Sequence, residues 1–302
     1  MELDKLPLTY YFEWDRLDER MRRSTMAEFA ANGAKHLVLT DGLLKMLCGT
    51  PAFYRKLAAE IADAGLSFVD AHAPFRDECD LWLPIPEYRR QMIARRKFEL
   101  QLVSDFGVDS CTIHIGNWPY PGHKLEEYRD AARRSLDELV PVAEKLGVTI
   151  CLENLYKPLN LPDAIVGFIA EFRSRSLGAC FDAGHANILA RGGDYPDGTA
   201  YKSCASVGAR PVWDDRALDK MLPYIVNCHL HDNRVQNDDH DLPGTGSVDW
   251  KNVLDKLAAA PNLRCIQSEV APLRHGIPIS RLCAAFRRLF AKFREQKTNL
   301  NE

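Results

Sequence analysis

Residues 125–153, LEEYRDAARRSLDELVPVAEKLGVTICLE, contain one complete unit of the pattern that organises this chain. Apolar residues recur at helical spacing as far as Lys145, and Gly147 then stands where the end of a helix favours positive φ. Thr149 to Glu153 make a short apolar run that ends in an acid. A helix, a glycine and a strand thus follow one another directly, which predicts a βα unit of a parallel sheet.

The same unit repeats on both sides of this stretch. Gly65 and Gly107 close other helical runs, and short strand-like runs alternate with amphipathic stretches. No glycine-rich phosphate turn follows the first run, which disfavours a doubly wound sheet. The α/β pattern therefore predicts a single (β/α)8 TIM barrel over residues 1–302. The predicted strands are 8–12, 36–40, 67–72, 110–115, 149–153, 178–182, 225–231 and 264–269, and the predicted helices include 87–106, 125–145, 161–174, 250–259 and 279–297.

Residues 191–215 interrupt this rhythm. The segment is rich in glycine and proline and shows little periodicity, which indicates a long insertion after the sixth strand. Because the carboxyl ends of barrel strands open at the mouth, we expect the insertion to lie over the mouth as a lid or as an oligomer contact. A mobile surface loop is the alternative.

Composition and charge narrow the classes of function. Hydrophobic residues make up 46% of the chain, the net charge is −3 and the pI is about 6.3. This balance allows a large core but gives no general attraction to nucleic acid or anionic membranes. No apolar run is long enough to span a bilayer and the first residues lack a signal-peptide core, so we expect a cytoplasmic protein. The nine cysteines form no C-x-x-C pair and are expected to be free thiols.

Acids and histidines stand at or near the ends of the last six predicted strands. Taken singly, each is often a structural residue of the core. In a parallel barrel, however, all carboxyl ends of strands face one crevice, and imidazoles and carboxylates gathered there suit a divalent cation. The sequence therefore predicts a metal-dependent enzyme. The nine residues are His72, His114, Glu153, Asp182, His185, His229, Asp238, His240 and Glu269.

The spacing within two of these motifs supports the grouping. Asp182 and His185 are one turn apart, and we expect Gly184 between them to let the backbone bend toward the site. His229 and His231 alternate along one strand, so both can point into the barrel. We expect one of the two to bind metal and the other to support it.

Short motifs that carry these residues resemble the xylose isomerase-like TIM-barrel superfamily. The resemblance runs from about the third predicted strand to the eighth. That superfamily contains sugar isomerases and epimerases, inosose dehydratases and family-two AP endonucleases. The motifs are AHAP at 71–74, IHIG at 113–116, LEN at 152–154, FDAGH at 181–185, HLHD at 229–232, DDH at 238–240, PGTG at 243–246, VDW at 248–250 and SE at 268–269.

The resemblance implies roles for individual residues. Glu153, Asp182, His229 and Glu269 match the four-ligand site that ketose 3-epimerases use for one divalent cation. In that match Glu153 and Glu269 are also the catalytic acid and base. The cofactor would be Mn2+, Zn2+, Co2+ or Mg2+. Further residues match the extra ligands that give AP endonucleases three zinc ions, so one ion is expected and up to three are allowed; these residues are His72, His114, His185, Asp238 and His240.

Substrate contacts are predicted around this centre. Trp118 lies in an aromatic loop after the fourth strand, where it can cover the C–H face of a sugar ring or pack on the barrel rim. His185 and Arg234 can hold hydroxyl or phosphate oxygens, although Arg234 can equally be a solvated loop charge. His72 and His114 are expected to contact the substrate where they do not ligate further ions.

Two functions follow from these residues. In a sugar isomerase or epimerase, a carboxylate removes a proton next to a carbonyl and the cation stabilises the charge that develops on oxygen. In a nuclease, clustered metals activate water against a phosphodiester. The slightly acidic chain, with its basic clusters at 89–97 and 287–288 on outer helices, argues against DNA. We therefore expect a sugar or sugar phosphate as the partner, no membrane or nucleic acid, and leave homo-oligomerisation open.

Overall fold

The computed structural model describes residues 2–300, except for the side chains of residues 77 and 298–300. It contains eight parallel strands that close into a barrel in sequence order, with the last strand paired to the first. The predicted (β/α)8 TIM barrel is therefore confirmed. The strands are β1 (Leu8–Tyr10), β2 (His36–Leu39), β3 (Ser67–His72), β4 (Ser110–Ile113), β5 (Thr149–Glu153), β6 (Leu177–Asp182), β7 (Ile225–Leu230) and β8 (Cys265–Ser268).

Helices surround the barrel and connect its strands. The five helices predicted from the sequence are all present and differ from the prediction only at their ends. No helix within the described part of the chain is long and apolar enough to cross a membrane. The helices are α1 (Glu19–Ala31), α2 (Asp41–Gly49), α3 (Phe53–Asp63), α4 (Pro86–Asp105), α5 (Leu125–Leu146), α6 (Pro162–Phe172), α7 (Ala183–Arg191), α8 (Thr199–Ala205), α9 (Ala217–Met221), α10 (Trp250–Leu257), α11 (Pro272–His275) and α12 (Ile279–Leu300).

Several strands are shorter than the sequence predicted, because their hydrogen-bonded ladders stop before the barrel mouth. The ladder of β4 ends at Ile113 and that of β8 at Ser268. His114 and Glu269 follow these residues directly. Their side chains therefore stand at the mouth, just beyond the sheet.

The barrel interior is polar below the mouth. Asp70 on β3 and Asn227 on β7 meet across the barrel, where Asn227 Nδ2 donates to Asp70 Oδ2 at 2.8 Å and to Thr112 Oγ1 at 2.9 Å. Ser110 Oγ donates to Asp70 Oδ1 at 2.7 Å. A carboxylate removed from water needs such donors. This layer of hydrogen-bonded side chains supports the residues at the mouth from below.

The cysteines are free thiols, as expected, and most of them are buried. Burial raises the pKa of the Cys111 thiol on β4, so the group stays protonated and packs as a small apolar side chain.

The segment 191–215 is partly helical, which the sequence did not predict. Its residues Thr199–Ala205 form α8, and Cys204 packs there with Tyr156 and Ile188 in a cluster separate from the main core. A helix of 7 residues is too short to show a clear apolar period. The glycines and prolines on either side therefore dominated the sequence pattern.

Asp80 joins the loops that follow β3 and β4. Its Oδ2 accepts hydrogen bonds from the amides of Asn117 at 2.9 Å and Trp118 at 2.6 Å, and from Trp82 Nε1 at 3.1 Å. The carboxyl group is buried, and burial raises its pKa to about 6 despite these donors. The loop that carries Trp118 thus depends on an acid that resists ionisation.

We expect Asp80 to make the stability of the protein depend on pH. Its pKa is about 6 in the folded protein and 3.8 in a free side chain, so folding takes up a proton between these values. Ionisation of Asp80 should therefore lower the free energy of unfolding by about 3 kcal/mol as the pH rises from about 4 to about 6. In urea unfolding, the free energy of unfolding of Asp80→Asn should therefore rise relative to that of the wild type over this pH window.

Asp194→Asn, at an exposed position, is the control for the same chemical change. A difference in unfolding free energy between Asp80→Asn and the wild type that stays constant from about pH 4 to pH 7 would contradict the prediction.

Candidate metal centre

Four strands bring carboxylates and an imidazole to the middle of the mouth. The ligand atoms of Glu153, Asp182, His229 and Glu269, here called the central group, all lie within 4.8 Å of one another. His229 Nδ1 is 3.4 Å from Glu153 Oε1 and 3.1 Å from Glu269 Oε2. It is 4.0 Å from Asp182 Oδ2. Ligands about 2.1 Å from one ion are about 3.4 Å apart in a tetrahedron, so this spacing suits a single cation.

The other oxygen of Glu153 faces a second set of ligands. Glu153 Oε2 lies 2.8 Å from His114 Nε2 and 3.4 Å from His72 Nε2. We call His72, His114 and Glu153 the lateral group. Glu153 thus serves the central group with one oxygen and the lateral group with the other, which is the geometry of a bridging carboxylate.

The remaining ligands form a third set, the outer group of His185, His231, Asp238 and His240. Asp238 Oδ2 lies 3.1 Å from His185 Nε2 and 3.4 Å from His240 Nε2. The His231 ring stacks on His240 with ring centres 4.0 Å apart, and its Nε2 is 3.1 Å from Asp182 Oδ2. His231, which the sequence placed as a support, therefore lies close enough to act as a ligand.

Backbone carbonyls orient three of the histidines. The Nδ1 atom of His72 lies 2.9 Å from the Ala73 carbonyl, and that of His185 lies 2.9 Å from the Asn154 carbonyl. The Nδ1 atom of His240 lies 2.7 Å from the Glu269 carbonyl. A carbonyl can only accept, so each Nδ1 carries the proton and donates. In the neutral ring, which a bound cation requires, each Nε2 then has its lone pair toward the ligand groups.

His229 is oriented by the polar layer below it. Its Nε2 lies 3.3 Å from Thr112 Oγ1, and Thr112 in turn accepts from Asn227, which also donates to Asp70. A proton on Nε2 leaves the lone pair on Nδ1, the atom that faces the central group. The buried Asp70 carboxylate is thus connected to a candidate ligand through two side chains.

Charges in the three groups are strongly coupled. Burial raises the pKa of Glu153, but His114 and His229 outweigh this effect and hold it well below its usual range. Burial lowers the pKa of His240, and the Asp238 carboxylate reverses this effect and raises it to about 10. Glu153 and Asp238 are therefore ionised at neutral pH and need positive charge beside them, from protonated histidines or from cations.

Several buried atoms of these groups make no hydrogen bond within the described residues. They include His229 Nδ1 and Glu269 Oε2 in the central group and Asp238 Oδ1 in the outer group. A buried polar atom without a partner costs about 1–3 kcal/mol, which coordination of a cation would remove. Mixed carboxylate and imidazole ligation suits Zn2+, Mn2+ or Co2+ better than Ca2+. The residues therefore fit a divalent cation without selecting the element.

One cavity of about 570 Å³ opens above the ligand groups. Glu153 and Glu269 reach it from the central group, whereas Asp182 and His229 are not among its lining residues. This volume is in the range of small-molecule sites. Other lining residues include Tyr11, Phe75, Trp118, Tyr156, Thr199 and Ser203.

The structure brings all nine predicted ligands to the mouth but does not bring Arg234 there. Arg234 is absent from the cavity lining, and its side chain is 68% exposed. Its guanidinium donates to Asp241 at 3.3 Å and to the Thr245 carbonyl at 3.1 Å. These two acceptors hold Arg234 outside the cavity, and its role as a substrate contact stays a prediction. Trp118 does line the cavity.

Sequence reasoning missed several residues that line the cavity. Lys157 stands four positions after Glu153, and Glu13 follows β1 in the same way. Tyr11 also lines it and donates to Asp41 at 2.8 Å. Their one sequence signal is a position shortly after a strand end, which is too common in a barrel to single them out.

Gly184 has a different role from the one that the sequence suggested. Its φ is not in the left-handed region, so the turn itself does not require glycine. A Cβ built at this position would lie 2.0 Å from His231 Cε1. Glycine is needed because the His231 imidazole packs directly against the start of α7.

A parallel barrel with carboxylates and imidazoles gathered at one mouth defines the class of structure. This chain belongs to the xylose isomerase-like TIM barrel family, whose model matches residues 26–266. An uncharacterized protein of Methanocaldococcus jannaschii is 25% identical over 214 residues, which is 67% of this chain. The match spans 64% of that protein, which is less than two-thirds of its length.

Solved structures share the fold. A D-tagatose 3-epimerase-like protein aligns with a TM-score of 0.73 at 18% identity, over 97% of this chain and 100% of that one. A protein of Thermus thermophilus, in a structure soaked with ZnCl2, aligns with a TM-score of 0.62 at 24% identity, over 95% of this chain and 99% of that one. At such identities the likeness concerns the fold alone.

Gly184→Ala should disturb the outer group, because the new methyl group meets the His231 ring. Overpacking of this kind typically costs about 1–3 kcal/mol. We expect a lower urea midpoint and weaker binding of metal. Gly167→Ala in α6 is the matched control, since a Cβ there meets nothing within 4 Å. Equal unfolding midpoints for the two variants would show that His231 can move aside.

Thr112→Val should weaken metal binding by about 10-fold to 100-fold, because it removes the oxygen that orients His229. Thr9→Val is the matched control, since the buried Thr9 hydroxyl makes no hydrogen bond within the described residues. Competition with a chelating dye would measure both affinities. Unchanged affinity in Thr112→Val would mean that the carboxylates alone fix the His229 ring.

Proposed function

We propose that this protein is a divalent-metal-dependent isomerase or epimerase that removes a proton next to the carbonyl of a sugar or sugar phosphate. The pair Glu153 and Glu269 supports this proposal most. Both belong to the central group, both line the cavity, and each has an oxygen within 3.4 Å of His229 Nδ1. A base, an acid and a cation position are thus available in one place.

The two glutamates differ in how their oxygens are engaged. A cation held by the central group would stabilise the negative charge that develops on the substrate oxygen. Glu153 Oε2 is hydrogen-bonded to His114, whereas Glu269 Oε1 has His72 Nε2 as a neighbour at 3.9 Å. Glu269 is therefore freer to take up a proton from the substrate. We assign Glu269 as the base that takes up the proton, and Glu153, which must itself be protonated when the substrate is bound, as the acid that returns one.

The cavity walls suit a carbohydrate. Phe75 and Trp118 present ring faces on which the C–H face of a sugar can pack. Thr199 and Ser203 of α8 place hydroxyl groups at the same cavity. His185 Nε2 faces Asp238 at 3.1 Å and can contact a substrate hydroxyl. The segment 191–215 would then act as a lid over the bound sugar.

A multinuclear phosphodiesterase is the second candidate, because the lateral, central and outer groups are contiguous and could hold three ions. The basic run 89–97 gives no evidence of a DNA-binding surface, since all of its cations except Arg89 are paired with acids. Arg96 is buried against Glu99, and Lys97 pairs with Glu138 at 2.9 Å. A phosphate backbone requires unpaired cations along its path. The isomerase or epimerase assignment therefore takes precedence.

Glu269→Gln should lose turnover by about 10²-fold to 10⁴-fold, because it removes the base and nearly preserves the shape. The assay is incubation of the metal-loaded protein with ketoses and ketose phosphates in D2O. Wild type should place deuterium on the carbon next to the carbonyl, as detected by NMR, and the variant should not.

Glu13→Gln makes the same chemical change elsewhere in the cavity and is the matched control. Metal content must be measured in both variants, because Glu269 also belongs to the central group. Full exchange in Glu269→Gln at normal metal content would assign the base to another residue.

An abasic-site duplex separates the two candidate functions. We expect no incision by the metal-loaded protein at an enzyme concentration that supports exchange into a ketose. Metal-dependent incision that weakens steeply with salt, without exchange into any ketose, would replace the proposed function with the phosphodiesterase.

A further inference from the structure

Lys157 is a buried cation that forms no ion pair within the described residues, although the Asp80 carboxylate acts on it from a greater distance. Its side chain lines the cavity, the residue is 6% exposed, and its ammonium donates to the Asn117 carbonyl. No carboxylate lies within 4.0 Å of the ammonium among the side chains that the structure describes. Buried lysines are nearly always paired, because an isolated ammonium loses its hydration. Burial lowers the pKa of Lys157, and the negative charge of Asp80 offsets this effect only in part.

Arg76 brings a second cation to the same cavity. Its guanidinium lies 5.5 Å from the centre of the Phe75 ring, which itself packs on His114 at 4.8 Å. Arg76 makes no ion pair or side-chain hydrogen bond with the rest of the described chain. A guanidinium stacked on an aromatic ring keeps its donors available for a ligand.

The two cations lie on the same side of the metal centre. Asn117, whose carbonyl accepts from Lys157, places its side-chain amide 2.7 Å from His114 Nδ1. Arg76 reaches His114 through Phe75. A single residue therefore stands between each cation and His114 of the lateral group, and both cations line the cavity.

We infer that Arg76 and Lys157 form a phosphate subsite at this cavity, so that the substrate carries a phosphate group. The guanidinium presents paired donors to two oxygens, and the ammonium adds a point charge, a combination that suits a phosphate monoester dianion. A neutral sugar would leave the buried Lys157 ammonium without an ion pair. The part of this inference that concerns a substrate rests on the proposed function, whereas the binding of phosphate does not.

Inorganic phosphate is the probe, and calorimetry of the metal-loaded protein measures its dissociation constant. We expect Arg76→Gln and Lys157→Gln each to raise this constant about tenfold or more, since each removes a charged hydrogen bond. Phosphate should also raise the Tm of the wild type and not that of either variant. Arg55→Gln, at an exposed position of α3 outside the cavity, is the control.

Metal content and unfolding midpoint must be measured in each variant, so that loss of the ion or of the fold is not mistaken for loss of the subsite. Arg76 is exposed, so its variant should fold even if Lys157→Gln does not. The inference is overturned if wild type binds no phosphate at millimolar concentration, or if Arg76→Gln binds it as wild type does.

Exchange in D2O with a ketose and with its phosphate separates this inference from the proposed function. Exchange into the ketose phosphate, with a KM that rises in Arg76→Gln, supports both. Exchange into the free ketose alone overturns the subsite and leaves the function intact. Phosphate binding that depends on both cations, without exchange into any sugar, supports the subsite and contradicts the function.

Discussion

The site depends on the shared carboxylate of Glu153. One oxygen faces His229 and the other faces His114, so this single buried side chain joins the central and lateral groups. Its negative charge is stable in the barrel only because imidazoles surround it, since an unpaired buried carboxylate would take up a proton instead. The Asn154 side chain next to it clamps the Asp182 backbone through both its amide atoms. The end of β5 thus fixes the position of β6 as well.

A closed barrel makes this concentration of charge possible. Each candidate ligand is carried by one of the strands β3 to β8 or by the segment directly after it, and the polar layer of Asp70, Thr112 and Asn227 lies below. The interior is therefore hydrogen-bonded rather than apolar under the mouth, while apolar side chains pack between sheet and helices. Thr112 in this layer orients His229, and backbone carbonyls orient His72, His185 and His240.

The sequence predicted the fold because helices and strands alternate along it with a regular repeat. Each of the last six strands is apolar and ends near an acid or histidine, so barrel geometry predicts that residues such as His114 and Glu269 lie at one mouth. Arg234, Lys157 and α8 could not be predicted in this way. The environment of a loop side chain depends on contacts distant in sequence, such as Lys157 with Asn117. A short stretch of sequence does not show which distant residues it contacts in the fold.

The insertion and the outer group share one framework, which connects access to the cavity with the ligands. Thr199 at the start of α8 accepts a hydrogen bond from the Asp238 amide at 3.2 Å, and its own amide donates to the Gln236 carbonyl at 2.9 Å. If α8 moves away from the mouth, it must either break these hydrogen bonds or move the loop of Gln236 and Asp238 with it. Because Asp238 contacts His185 and His240, such a displacement would move the outer group as well. The position of α8 is therefore linked to the position of the outer group.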